Sequence, residues 1–203
     1  MIIEQPSMWL HWLYPGATWR MDRQAKAVYL TFDDGPIPEA TPFILKTLAD
    51  FHVKATFFMV GDNARKYPEL VRRVREAGHR IGNHTFNHFG GFKHTVKGYC
   101  DNVKKADELL HTNLFRPPHG AMRWSQYVWL RRKYRIIMWD LVTRDYSKWM
   151  TPEDVLNNVK RYVRNGSIIT FHDSLKSIEK LKTALPAAIQ WMKEQGYEFR
   201  VFS

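Results

Sequence analysis

The sequence contains one cysteine, Cys100, and has no internal repeat, low-complexity tract or long apolar run. A single cysteine excludes an internal disulfide framework and a zinc site built from cysteines. No apolar stretch approaches the ~18 residues that a membrane-spanning helix needs. The first residues lack the features of a secretory signal peptide, since Glu4 and Pro6 come early and His11 interrupts the apolar patch at 8–14. We therefore expect a cytoplasmic protein.

Acidic residues are scarce relative to basic ones. The chain has 20 Asp and Glu against 31 Lys and Arg, which gives a formal net charge of +11. This balance favours anionic partners. Nucleic acid is not favoured among them, because no recognition motif accompanies the basic runs. The basic runs are interpreted first as exposed helix faces and ends, and a basic rim that attracts an acidic glycan or a nucleotide-sugar is more plausible than a nucleic-acid surface. No prediction of oligomeric state follows.

The chain has enough apolar material for one folded domain. Of its 203 residues, 44% are hydrophobic and 14% aromatic, which excludes a disordered chain. Chains usually divide into several domains only beyond ~250–300 residues. We therefore expect a single domain over residues 1–203.

Short apolar runs alternate with longer helical segments along the chain. The runs are nearly continuous, as expected for strands covered on both faces. Their alternation with helices predicts βα repeats and a mostly parallel sheet. The predicted strands span 28–32, 55–60, 80–84, 114–116, 135–139, 167–171 and 198–202. The predicted helices span 38–51, 69–77, 95–111, 125–133, 151–164 and 181–195.

Polar side chains follow the predicted strands at the points where the strands end. The carboxyl ends of parallel strands converge on one mouth when a sheet closes into a barrel, and such folds place their chemistry there. The pattern therefore favours a barrel over an open sheet. The polar residues at or just past strand ends are Asp33, Asp34, His84, Arg116, Asp140 and His172.

The first of these positions holds two adjacent carboxylates, Asp33 and Asp34, in the motif Thr-Phe-Asp-Asp-Gly-Pro. Adjacent carboxylates repel unless a cation or hydrogen bonds hold them, so one is suited to bind a metal while its neighbour acts as a base. The same residues also favour a β-turn, because Asp-Gly and Gly-Pro are turn sequences. Taken alone, the motif does not decide between a metal site and a turn.

Two histidines four residues apart, His84 and His88, have a spacing that allows them to converge on one ion. Imidazole suits zinc and related first-row metals. The spacing alone is weak evidence, but Asp34 completes a set of two histidines and one carboxylate. Such a set matches catalytic zinc sites, which keep three protein ligands and a water. His172 closes another strand and is either a core histidine or a group that protonates a leaving group.

The order and spacing of five motifs resemble those of the polysaccharide deacetylases, the NodB-homology family of metal-dependent carbohydrate esterases. The resemblance runs from about residue 28 to residue 202, and the first two motifs together are highly specific. The motifs are Thr-Phe-Asp-Asp-Gly-Pro at 31–36, His-Thr-x-x-His at 84–88, Arg-Pro-Pro-x-Gly at 116–120, the segment around Asp145, and Phe-His-Asp at 171–173.

The resemblance implies a fold, a cofactor and a set of roles. The fold is an α/β, distorted and incomplete (β/α)7 barrel over 28–203. From its aromatic residues, and apart from the resemblance, we expect segment 1–27 to pack on this barrel. The cofactor is a divalent metal, with zinc first and cobalt or nickel as alternatives. The implied roles are general base for Asp33, metal ligand for Asp34, His84 and His88, general acid for His172, orientation of Asp33 for Arg116, and tuning of His172 for Asp145.

Three positions depart from the usual family pattern. His119 stands where Tyr is usual, Tyr146 where Trp is common, and Thr170 where an aliphatic residue is usual. The last two changes make the pocket expected to hold the acetyl methyl slightly more polar, while the metal and acid–base residues are intact. With Pro117 and Gly120, these three residues form the implied substrate-binding set.

The predicted function is removal of N-acetyl groups from the amino sugars of a poly- or oligosaccharide, by metal-activated water with an Asp base and a His acid. One alternative is hydrolysis of another amide or of an O-acetyl ester on the same fold. A second alternative is a protein that binds a glycan or a surface without turnover. The intact set of catalytic residue types counts against this second alternative.

Three tryptophans, Trp9, Trp12 and Trp19, lie close together near the start of the chain. Large aromatic side chains contribute most when they are buried, so we expect this segment to pack across the barrel. The alternative, which the net charge favours, is an anchor at a membrane interface.

Overall fold

The computed structural model describes residues 4–203, with the exception of the Met8 side chain. Residues 1–3 of the predicted N-terminal segment therefore lie outside the described part. Seven parallel strands curl into an incomplete barrel, which confirms the predicted fold class. The seven strands of the barrel are β1 Ala27–Asp33, β2 Thr56–Met59, β3 Arg80–Asn83, β4 Leu114–Phe115, β5 Arg135–Ile136, β6 Leu141–Val142 and β7 Ile168–His172. An eighth, short strand is β8 Glu198–Phe199.

The strand order across the sheet is β5-β4-β3-β2-β1-β7-β6, and β8 pairs with the start of β1. β1 lies inside the sheet, between β2 and β7, and is buried along its whole length. Val28, Leu30 and Phe32 pack outward beneath the helices, so the alternate residues of β1 point into the barrel. The register places Asp33, the last residue of β1, beside His172, the last residue of β7. Two predicted site residues are thus neighbours because their strands end together.

Helices cover the outside of the barrel, and all six predicted helices are present with shifted ends. Two short helices were not predicted, and the second of them begins at Gly61 with no side-chain hydrogen bond at its N-cap. Such an element lacks the start signals by which helices are found in a sequence. The helices are α1 Met8–Leu13, α2 Thr41–Asp50, α3 Gly61–Lys66, α4 Pro68–Glu76, α5 Val96–Leu110, α6 Trp124–Leu130, α7 Pro152–Tyr162 and α8 Ile178–Glu194.

Asp140 does not lie at the mouth of the barrel, so this part of the prediction is wrong. The predicted strand 135–139 ends early at Ile136, and the chain then forms β6 immediately after Asp140. Asp140 therefore precedes a strand instead of closing one, and its amide pairs with the carbonyl of Ile168 at the start of β7. Its carboxylate is bound there by Arg164 at 2.5 Å and by Ser167 at 2.6 Å.

The N-terminal segment contacts both edge strands of the incomplete barrel. Thr18 forms a parallel bridge with Ile137, just beyond β5, and the carbonyl of Glu4 accepts a hydrogen bond from Val142 of β6. Trp19 is buried, with 6% of its surface exposed. Trp9 and Trp12, by contrast, are 57% and 77% exposed on the outward face of α1.

In the described part of the chain, no helix combines the length and the apolar composition that crossing a membrane requires.

Candidate active site

A cavity of ≈ 910 Å³ opens at the carboxyl ends of the barrel strands. Arg116 and Asp145 are buried behind its wall, where each holds a residue that faces the cavity. The predicted site residues that line the cavity are Asp33, Asp34, His84, His88, Pro117, His119, Gly120, Tyr146, Thr170 and His172. Residues from five strand ends and their loops thus meet in one pocket, as the sequence pattern indicates.

Asp34, His84 and His88 place one ligand atom each within 4.8 Å of one another. The Oδ1 atom of Asp34 lies 3.1 Å from Nε2 of His88 and 3.6 Å from Nε2 of His84. The Nδ1 atom of His84 lies 2.8 Å from the carbonyl oxygen of Arg116 and must carry the proton, because a carbonyl oxygen only accepts. The lone pair of this imidazole is therefore on Nε2, the atom that faces Asp34.

The protonation of these groups also fits a cation site. Burial lowers the pKa of His84 to about 4, so its imidazole is neutral near pH 7. Burial raises the pKa of Asp34, but the hydrogen bond from His88 and the nearby imidazoles outweigh it and hold the carboxyl well below its usual range. A neutral imidazole and an ionised carboxylate are the forms that bind metals. We conclude that the three residues fit a divalent cation of the kind that prefers nitrogen and oxygen ligands.

The backbone that carries Asp34 is held in an uncommon conformation. Asp34 has φ = 79°, in the left-handed region that is costly for a residue other than glycine. Its carbonyl accepts a hydrogen bond from Nδ2 of Asn63 at 2.9 Å. On the next residue, a Cβ atom at Gly35 would lie 2.0 Å from Oδ2 of Asp173, so only glycine fits against that carboxyl group. The ligand is thus positioned by Asn63 on α3 and by Asp173.

We expect Asn63→Ala to weaken metal binding at least about tenfold, because residues that orient a ligand typically contribute 10–100-fold to metal affinity. Titration with Co²⁺, followed by visible absorption, measures the affinity directly. Asn157→Ala, an exposed asparagine on α7, is the matched control and should bind Co²⁺ as the unchanged chain does. An unchanged affinity in Asn63→Ala would show that the turn keeps its shape without this hydrogen bond.

Arg116 holds the carboxylate of Asp33 from inside the barrel. The Nη1 atom of Arg116 donates to Asp33 Oδ1 at 2.7 Å, to Thr31 at 2.7 Å and to Thr170 at 3.1 Å. The side chain of Arg116 is 1% exposed, and its guanidinium carbon lies over the ring of Phe58, 4.2 Å from the ring centroid. A buried guanidinium needs such partners because an unpaired buried charge is costly. This ion pair fixes which oxygen of Asp33 remains directed to the cavity.

His172 is held in a similar way by Asp145, which is fully buried. The Nδ1 atom of His172 lies 2.7 Å from one carboxylate oxygen of Asp145, and the backbone N–H of His172 donates to the other oxygen at 2.7 Å. Burial lowers the pKa of His172, but the charge and hydrogen bond of Asp145, helped by Asp34 and Asp33, raise it to about 9. A raised pKa favours the imidazolium, which is the form that a proton donor needs.

The residues of the implied substrate-binding set have different surroundings. Gly120 faces the indole of Trp139, which a Cβ atom would approach to 2.1 Å, and Tyr146 lies edge-on to His172 with 4.7 Å between the ring centroids. The Thr170 hydroxyl is bonded to Arg116 and lies 3.3 Å from that of Thr31. The hydrogen bonds of this hydroxyl therefore lie in the barrel interior, although Thr170 borders the cavity.

Three residues that shape the site were not singled out from the sequence. Asn63 lies two residues after Gly61, in a helix that sequence patterns did not reveal. Trp139 precedes the predicted residue Asp140, and Asp173 is the last residue of the Phe-His-Asp motif, but neither had an assigned role. Asn63 does follow the end of β2, so the rule that polar residues after strands are candidates would have found it.

The sequence is similar to those of known deacetylases. The family model described as polysaccharide deacetylase matches residues 20–134. A peptidoglycan-N-acetylglucosamine deacetylase of Bacillus cereus is 32% identical over 190 residues, which cover 90% of this chain and 89% of that protein. A chitooligosaccharide deacetylase of Azorhizobium caulinodans is 34% identical over 170 residues, which cover 78% of this chain and 79% of that protein.

A crystal structure of the Bc1960 peptidoglycan N-acetylglucosamine deacetylase has a TM-score of 0.90 and 32% identity, and the match covers 97% of this chain and 94% of that one. The fold and the cavity define a barrel hydrolase of the carbohydrate esterase type. The chain belongs to the polysaccharide deacetylase family. Some relatives are longer, since the chain spans 65% of a second Bacillus cereus deacetylase and 37% of one from Listeria monocytogenes.

Proposed function

We propose that the protein hydrolyses the N-acetyl group of amino sugars in a glycan polymer. The observation that carries this proposal is the pairing of Asp33 with His172 around the triad Asp34, His84 and His88 in one cavity. A candidate base and a candidate acid on strands that end together suit a reaction in which one proton is removed and another is delivered. The relatives named for peptidoglycan and chitooligosaccharides make N-acetylglucosamine polymers the first substrates to test.

The triad would hold a divalent metal, and zinc is the ion that two imidazoles and one carboxylate suit best. When bound, such an ion supplies Lewis-acid chemistry, by which a carbonyl is polarised and a water is made more acidic. The order of preference after zinc is cobalt or nickel.

Asp33 is the proposed general base. Arg116 binds one of its oxygens, so the other is directed to the cavity and takes a proton from the attacking water. His172 is the proposed general acid. Asp145 keeps its Nδ1 occupied, so the proton that reaches the departing amine nitrogen leaves from Nε2.

The backbone N–H of His119 is the proposed donor to the developing oxyanion. In residues 4–203 this N–H makes no hydrogen bond to another protein group, and His119 lies at φ = 58° on the cavity wall. A free backbone donor directed to a site where negative charge develops stabilises the transition state. The imidazole of His119 lies edge-on to that of His88, with 4.8 Å between the ring centroids, in the place where the family usually has a tyrosine.

We expect about one metal ion per chain, and acetate release from N-acetylglucosamine oligomers or peptidoglycan that stops on chelation and returns with zinc or cobalt. Metal analysis paired with an acetate assay measures both. His84→Ala should lose metal and activity together, because this buried histidine is a proposed ligand. Bound metal without acetate release would favour another amide or an O-acetyl ester as substrate. A chain that binds glycan yet takes up no metal would favour the non-catalytic alternative.

A further inference from the structure

The short helix α1 presents an apolar face that no other part of the described chain covers. Trp9, Trp12 and Leu13 are 57%, 77% and 47% exposed. Their spacing of three and four residues places them on one side of the helix. On the other side, His11 stacks on the buried Trp19 with 4.6 Å between the ring centroids, and Leu10 packs into the core. The helix is therefore fixed to the barrel by one face and open on the other.

This apolar face is separate from the candidate active site, because no residue of α1 lines the catalytic cavity. Indole rings in water expose a large apolar area, and groups of exposed apolar side chains mark interaction sites on many proteins. Trp149 is as exposed as Trp12, at 79%, but its neighbour on the chain is Lys148, which lies over its ring. The α1 face consists instead of three large apolar side chains.

The surroundings of α1 are basic. The helix itself has no acidic residue. Burial lowers the pKa of His11, the charge of Asp140 opposes this effect, and the charges of Arg23 and Arg164 lower the pKa again. On the segment after α1, a Cβ atom at Gly16 would lie 3.7 Å from the guanidinium of Arg131.

Most of the acidic groups near α1 form ion pairs with arginines. Arg164 binds Asp140, and Arg144 binds Glu4. The exposed Asp22 accepts a hydrogen bond from the Gln24 amide and is the remaining carboxylate of the segment. The whole chain carries a net charge of +11. The apolar face is thus set in a positive field, which attracts anionic surfaces.

We propose that α1 anchors the protein to the surface of an anionic lipid bilayer, with Trp9, Trp12 and Leu13 inserted at the level of the headgroups. Tryptophan is enriched at membrane interfaces because its ring is apolar and its N–H is polar. Basic residues near such a helix add attraction to anionic lipids. The α1 face is less well suited to bind a sugar, because Leu13 has neither an aromatic ring that could stack on the sugar nor a polar group. A second copy of the chain is also a poorer match, since the like charges around α1 repel.

Sedimentation with vesicles tests the anchor. The full chain should bind vesicles of phosphatidylcholine and phosphatidylglycerol, bind pure phosphatidylcholine vesicles more weakly, and dissociate in high salt because salt screens charge attraction. The double variant Trp12→Ala/Leu13→Ala should lose at least about tenfold in partition coefficient, because it removes large apolar groups from the interface. Trp149→Ala is the matched control and should bind as the unchanged chain does. Acetate release from a soluble oligosaccharide should be equal in all three.

Three results would overturn the proposal. The first is the absence of binding to anionic vesicles, and the second is an equal loss in Trp149→Ala and in the double variant. The third is an effect of the double variant only on glycan binding or on self-association in sedimentation velocity. Because acetate release is measured separately on a soluble substrate, failure of the anchor is distinguishable from failure of the proposed activity.

Discussion

Asp33→Asn should lower the rate of acetate release about 10³-fold while the metal stays bound. Removal of a general base typically costs 10²–10⁴-fold. Asparagine keeps the size of aspartate and still offers an oxygen to Arg116, but it cannot take a proton. The metal ligands are on other residues, so metal content measured after dialysis should be near that of the unchanged chain. Single-turnover acetate release, together with metal analysis, measures both expectations.

Two further variants serve as comparisons for Asp33→Asn. His84→Ala should lose metal and activity together, which separates loss of the metal from loss of the base. Asp101→Asn, which replaces an exposed carboxylate on α5, should change neither.

Arg116 loses its counter-charge in Asp33→Asn, so the free energy of unfolding should fall as well, by about 3 kcal/mol or more. If Asp33→Asn is folded, holds metal and keeps most of its activity, the base is another residue.

Much of the fold and of the site follows from the sequence because the two share one pattern. β1, β2 and β7 are largely apolar runs, and residue types suited to catalysis come at or just after strand ends, as at Asp33, His84 and His172. Parallel strands end on the same side of a sheet, so this local pattern predicts that distant residues meet. The register of β1 and β7 is sufficient to place Asp33 beside His172 on the neighbouring strand.

The remaining features depend on contacts that no local pattern encodes. Asp140 looks like the end of a strand because apolar residues precede it. The chain pairs with β7 only in the two residues of β6, which follow Asp140. The part played by Asn63 depends on how closely α3 approaches the turn at Asp34. The exposure of Trp9 and Trp12 depends on which face of α1 meets the barrel. Each of these is settled by tertiary packing and not by the residue's own neighbours in sequence.

Asp145→Asn should move the alkaline limb of the pH–rate profile downward and lower the rate at pH 8 by about 10²-fold or more. In the unchanged chain, burial lowers the pKa of His172, while the carboxylate of Asp145 and, more weakly, Asp34 and Asp33 raise it to about 9. The acid is protonated below its pKa, so activity should persist into alkaline solution and fall as the pH rises through that value. A bound cation offsets the contribution of Asp34 to the pKa of His172. The alkaline limb of the pH–rate profile should therefore lie between 6.5, the ordinary pKa of histidine, and about 9.

In Asp145→Asn the negative charge that raises the pKa of His172 is gone, and burial then dominates. The pKa of His172 should fall below 6.5, so the imidazole is neutral at the pH of the assay and is too weak an acid to protonate an amine. The remaining activity should lie on the acidic side, where the ring is still charged. Histidine proton signals in an NMR pH titration measure the shift independently of turnover. An alkaline limb that stays in place in Asp145→Asn would mean that another group delivers the proton.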